Sequence, residues 1–155
     1  MVIKTRRLKN GFVYYAMWLG NREHTFYLKQ RKKSKEMIVT DILRRDYLDP
    51  FIEYCKNMGF TIITIPPSYI KTKKSFIGIL SKYVSENLKI PFIDCFGKHS
   101  ESAFGLKNKL SRNFLYFDLK IEVKGEFVLL IDDFAMTGRT LYKSAMPLIA
   151  KGNHV

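Results

Sequence analysis

The chain has 155 residues, 46% hydrophobic and 14% aromatic, enough for one well-cored domain that buries roughly two-thirds of the surface its unfolded chain would expose. The charged fraction of 26% beside that apolar content excludes general disorder, and the longest clean apolar run, Phe127 to Ile131, is too short to span a membrane. Net charge is +13, and the first 35 residues hold ten Lys/Arg against Glu23 alone, so most of the basicity sits in the N-terminal segment. A solvated basic face and a surface for phosphate-rich partners such as nucleic acid are both compatible with it.

Taken in chain order, residues 2–8, 11–18 and 23–29 are rich in β-branched and aromatic residues, with Lys9-Asn10-Gly11 and Gly20-Asn21 between them. That is hairpin turn chemistry and predicts a small antiparallel meander, residues 1–33 forming a basic extension. The tyrosines and the quick return to charge argue against a signal peptide, so a cytoplasmic protein is expected. Lys4, Arg6, Arg7, Lys9, Arg31, Lys32 and Lys33 are the cations on which a nucleic acid would bind.

Residues 34–155 are expected to form one compact α/β domain with a mainly parallel sheet flanked by helices. Ser34 caps a first helix, and Asp49-Pro50 restarts it, with Asp49 as the cap and Gly59 past the end. A buried strand over Phe60–Ile65 stops at Pro66-Pro67, and a helix follows Ser75 with Phe76, Ile79, Leu80, Tyr83 and Val84 on one stripe. Pro91–Phe96 reads as a short strand, 97–113 as a long loop and Leu115–Val123 as a half-exposed strand, because its apolar residues alternate strictly. Glu126–Ile131 reads as a strand covered on both faces, and Thr140–Lys151 as the last helix, closed by Gly152 and kinked at Pro147. Cys55 and Cys95 lie in apolar surroundings, without CxxC or histidine spacing for zinc, and are expected to be buried thiols.

The stretch that carries chemistry is Val128-Leu129-Leu130-Ile131-Asp132-Asp133-Phe134-Ala135-Met136-Thr137-Gly138-Arg139-Thr140. A buried strand delivers two adjacent acids at its carboxyl end, where open α/β sheets bind ligands. The following loop offers backbone N–H groups, the Thr137 and Thr140 hydroxyls and a helix start, which suit a phosphate. Two carboxylates nearby suit ribose hydroxyls or hydrated Mg2+. A plain strand-end pair capping the next turn would use the same two aspartates. A receiver domain would need a further aspartate on a later strand, and none of the 22 residues after Asp133 is acidic. Gly97-Lys98-His99-Ser100 lacks the first glycine of a P-loop, since Phe92 stands there.

These residues resemble the 5-phosphoribosyl-1-diphosphate (PRPP) loop of type I phosphoribosyltransferases: two acids, two small or hydrophobic residues and a Thr-Thr-Gly-x-Thr run, with Met136 in place of the first threonine. A weaker resemblance over residues 27–113 is to the ComF-like predicted amidophosphoribosyltransferases, through Tyr27-Leu28-Lys29, Ile63-Thr64-Ile65-Pro66-Pro67-Ser68, Lys74-Ser75-Phe76 and Leu106 to Asn113. Ile77 stands where that branch carries asparagine, and the basic meander replaces its four-cysteine element.

The resemblance implies a type I phosphoribosyltransferase fold that binds PRPP with Mg2+ and transfers the phosphoribosyl group to a nitrogen acceptor. It places the 5-phosphate on Phe134, Ala135, Met136, Thr137, Gly138, Arg139 and Thr140. The ribose, and indirectly the metal, fall to Asp132 and Asp133, and the diphosphate to Pro67, Ser68, Lys71, Lys73 and Lys74. Lys107 and Arg112 fall in the mobile-loop segment. The alternative is a phosphoribosyltransferase-fold module without turnover, its basic surface acting in nucleic-acid binding, DNA uptake or regulation. A homodimer is compatible with either.

Overall fold

The computed structural model describes residues 2–18, 44–67, 76–96, 117–132 and 138–155. The expected third meander strand over 23–29, the helix start at Ser34 and the 97–113 loop lie outside the described residues. What is described is a mixed α/β protein with a small antiparallel sheet and a small parallel one.

The antiparallel sheet is a hairpin of β1 (Val2–Arg7) and β2 (Val13–Trp18), in a register that sets Arg6 opposite Tyr14 and Thr5 opposite Tyr15. Lys9-Asn10-Gly11 closes it. Leu8 N–H donates to Phe12 O at 2.8 Å, and Gly11 takes the left-handed φ of +89° that this turn demands and glycine supplies without strain.

A π-helical turn over Arg44–Leu48 runs directly into α1 (Asp49–Cys55). This corrects the expected restart: Leu48 occupies the cap position in helical conformation, and no side chain caps the helix. The Asp49 carboxylate instead accepts a hydrogen bond from the Tyr83 hydroxyl at 2.9 Å, tying α1 to α2. Pro50 costs nothing there, because a first-turn N–H has no intrahelical acceptor.

The parallel sheet is built on β3 (Ile62–Thr64) and β4 (Val128–Leu130), paired Ile62 to Val128 and Thr64 to Leu130. Isolated parallel bridges extend it, Phe92 beside Ile63 and His154 beside Phe127. Across the sheet the order is therefore Phe92, β3, β4, His154. The strand expected over Pro91–Phe96 is reduced to that bridge, held by Ile63 N–H to Pro91 O and Ile93 N–H to Ile63 O, both 2.9 Å.

Because side chains alternate along a strand, each face of the sheet feeds its own core. On one, Ile63 and Leu129 meet Leu48, Ile52 and Cys55 around α1, and Phe76, Leu80 and Val84 of α2 (Phe76–Leu88). On the other, Ile62 and Val128 meet Cys95, Phe96 and Leu148 of α3 (Arg139–Ala150). Helices thus cover both faces, and each such buried Ile or Leu contributes about 1.5–3 kcal/mol. Helix α2 buries more than the expected stripe: Ile77, Gly78 and Ser81 are buried too, while Ile79 and Tyr83 are half-exposed.

Residues 117–126 form no strand, contrary to the alternation of Leu115–Val123. Phe117, Leu119 and Val123 do turn toward the core, but Ile121 is exposed. The amides of Lys120 and Ile121 converge on one carbonyl, that of Cys95, at 2.7 and 3.1 Å, which a regular β ladder does not allow. Phe117 N–H meets Lys143 O at 3.4 Å. That carbonyl is four residues before Pro147, so it is the acceptor the proline leaves empty. The helix passes Pro147 without interruption, its orphaned carbonyl partnered from outside.

Among the described residues no helix is long and apolar enough to cross a membrane.

Candidate functional site

From β3 the chain reaches Phe92 on one side of the sheet, and from β4 it reaches His154 on the other. The direction reverses between β3 and β4, and open α/β sheets bind ligands outside the carboxyl ends of strands whose connections diverge in this way. Ile65-Pro66-Pro67 and Ile131-Asp132 leave the sheet side by side there, with Ile131 N–H bonded to Thr64 O at 3.0 Å. Ile65 and Pro66 are buried, Pro67 and Asp132 half-buried.

Helix α3 begins seven residues after Asp132. Its cap, Gly138, is buried and left-handed at φ +68°. The first intrahelical bond is Tyr142 N–H to Gly138 O at 3.0 Å, so the amides of Arg139, Thr140 and Leu141 have no acceptor within the helix. The positive end of the helix dipole adds to the charge of Arg139 one turn before Lys143. Burial, and then the Arg139 charge, hold the Lys143 ammonium below its ordinary pKa.

The N-terminal hairpin sits against it. A side chain on Gly138 would run into the Tyr14 ring, its Cβ 2.9 Å from Cζ and 3.0 Å from Cδ1. Phe12 meets Tyr142 edge to face at 5.4 Å between ring centres. Lys4 and Arg6 share this face of the hairpin with Tyr14.

Of the residues singled out in the sequence, Pro67, Asp132, Gly138, Arg139 and Thr140 are described, and all belong to the carboxyl-end side of the sheet or the start of α3. Lys4, Arg6, Arg7 and Lys9 lie on the hairpin, all exposed. Ser68, Lys71, Lys73, Lys74, Lys107, Arg112, Asp133, Phe134, Ala135, Met136, Thr137, Arg31, Lys32 and Lys33 lie outside the described residues. The sequence reading missed Tyr14 and Lys143 as neighbours of Gly138 and Arg139. Lys143 carried a signal, since it follows Arg139 by four residues on a helix. Tyr14 carried none, because it is more than a hundred residues away in the chain.

Among the described residues no group of three His, Cys, Asp or Glu could hold a metal. Both thiols are free and buried. Burial pushes Cys55 up to about 12 and, as the larger influence, also raises Cys95 against the opposing hydrogen bond with Thr64. At pH 7.5 iodoacetamide should therefore leave both unmodified in the native protein and alkylate both after unfolding. Intact mass checks this, and alkylation of the native protein within minutes would contradict it.

Neither family models nor curated proteins nor solved structures give a match to this chain.

Proposed function

We propose that the chain has a type I phosphoribosyltransferase fold and binds PRPP, or another 5-phosphoribosyl ligand, outside the carboxyl ends of β3 and β4. The observation that carries the reading is the strand order, which puts Pro67 and Asp132 at one reversal point of a parallel sheet. The 5-phosphate would lie on residues 134–140, held by backbone N–H groups and the Thr137 and Thr140 hydroxyls. The ribose hydroxyls would donate to Asp132 and Asp133. Pro67, Ser68, Lys71, Lys73 and Lys74 would hold the diphosphate, and Lys107 and Arg112 would close over it.

A nitrogen lone pair then attacks C1 of the ribose as the C1–O bond breaks and diphosphate leaves with the bonding electrons. Positioning and the lysines around the departing charge supply most of the acceleration. Half-buried Asp132, with Asp133 beside it in sequence, offers carboxylate oxygens of the kind a hard cation takes, directly or through water. When bound, Mg2+ would neutralise charge on the diphosphate.

One observation favours the second reading, a module without turnover. The Tyr14 ring covers one side of Gly138, narrowing the helix start on which a phosphate would settle.

A thermal shift separates the outcomes. PRPP with Mg2+ at a hundred times its Kd should add about 2.7 kcal/mol, or roughly 5–10 °C for a chain of this length. Asp133→Asn with Thr137→Ala should abolish the shift, and no shift in the parent at millimolar ligand would remove the assignment. Diphosphate release with ammonia, glutamine or free bases as acceptors would decide for the enzyme. Binding without release would decide for the module.

A further inference from the structure

The hairpin has two faces. Leu8, Phe12, Tyr14 and Ala16 are half-buried toward the rest of the molecule, whereas Thr5, Arg7, Val13 and Tyr15 are all exposed on the other face. Tyr15 is 56% exposed and Tyr54, on the outside of α1, is 41% exposed, yet their rings lie together at 6.3 Å between centres and 58° between planes. Two large exposed aromatic rings, one from each of two elements, thus lie together, and Arg7 shares the hairpin face that carries Tyr15.

The charge on the hairpin has one sign. Residues 1–18 include Lys4, Arg6, Arg7 and Lys9 and no acid. Among the described residues, the carboxylates of the π-helical turn and α1 have partners: Asp46 holds Arg45 at 2.7 Å, Asp49 takes the Tyr83 hydroxyl at 2.9 Å and Arg44 at 3.9 Å, and Glu53 holds Lys56 at 2.5 Å. An anion approaching Tyr15 meets the cations of the hairpin, and the described carboxylates of α1 are already paired.

We propose that the outward face of the β1–β2 hairpin, with Tyr15 and Tyr54 as stacking rings and Arg7 beside them, binds single-stranded nucleic acid without sequence preference. Aromatic rings beside a cationic strand are what such binding uses: any base has a π face to stack, and the cations follow the phosphates. A duplex hides its base faces within the stack, so it offers this surface only its backbone. The inference is independent of the phosphoribosyl reading, since the face points away from Gly138 and α3. Charged residues on an edge strand also guard against edge-to-edge pairing, but that role needs neither tyrosine.

The test is anisotropy of a fluorescein-labelled 15-mer of deoxythymidine titrated with the whole chain. Expected is binding that weakens with salt at a log–log slope of about 0.7 per phosphate contacted, and a duplex of equal length that binds more weakly. Tyr15→Ala and Tyr54→Ala should each weaken binding about tenfold with the slope unchanged, and Arg7→Ala should lower the slope by about 0.7. Photo-crosslinking of the unaltered protein to a 5-iodouracil oligonucleotide, mapped by peptide mass, should mark Tyr15 or Tyr54. The proposal is overturned by no binding at 50 mM salt, by tyrosine variants within twofold of the parent, by equal affinity for duplex, or by crosslinks confined to other segments.

Discussion

Asn153→Ala is expected to lower the free energy of unfolding by about 2–3 kcal/mol, one of the largest effects of any polar substitution in the described residues. The residue is 5% exposed, and its side chain joins three pieces of backbone. Its Nδ2 donates to Val123 O at 2.9 Å and Leu148 O at 2.8 Å, and its Oδ1 accepts from Glu126 N–H at 3.0 Å. Leu148 O keeps other donors, Lys151 N–H at 3.1 Å and Asn153 N–H at 3.3 Å. Alanine would therefore orphan chiefly Val123 O and Glu126 N–H, and unmade bonds in such a place cost more than made ones contribute.

The consequence reaches the sheet, because the next residue, His154, bonds to Glu126 O at 2.9 Å and receives Val128 N–H at 2.7 Å. Urea unfolding followed by circular dichroism measures the loss, with a fall in melting temperature of roughly 5–10 °C. A change below about 0.5 kcal/mol would show that water replaces the side chain and that Asn153 does not tie the helix end to the sheet.

Gly138→Ala is expected to cost about 2–5 kcal/mol from two separable sources. A left-handed φ of +68° costs an L residue roughly 1–2 kcal/mol. The new Cβ would also press on the Tyr14 ring, and overpacking of this kind costs about 1–3 kcal/mol. A double-mutant cycle separates them. In a Tyr14→Ala background the second part should vanish and the first remain, giving an interaction energy of about 1–3 kcal/mol. An equal cost in both backgrounds would mean that the hairpin is not seated on the start of α3.

The elements legible in the sequence are those whose pattern is local and strong. Ile62–Thr64 before two prolines, Phe76–Leu88 with its apolar stripe, Val128–Leu130 before two acids and Arg139–Ala150 before Gly152 all stand where periodicity and breakers put them. Where the reading failed, local chemistry had two uses. Strict alternation in Leu115–Val123 fits a half-buried strand, but it equally fits an extended segment that packs Phe117, Leu119 and Val123 without an edge to pair. Asp49-Pro50 fits a helix start, but a π-helical turn already occupied the preceding residues and Asp49 found Tyr83 instead.

The acids after β4 and the glycine before α3 were visible as a ligand-binding pattern from the sequence alone, because strand, loop and helix follow one another within a dozen residues. So was the cationic N-terminal segment, since charge needs no fold to be counted. Only the tertiary structure decided that β3 lies beside β4, that their connections diverge, that Tyr14 seats the hairpin on Gly138 and that Tyr15 meets Tyr54. Each of these joins residues dozens of positions apart or more, and no spacing in the chain encodes which of many apolar partners such a residue will meet. The choice is made by packing, where backbone hydrogen bonds and excluded volume act together across the whole core.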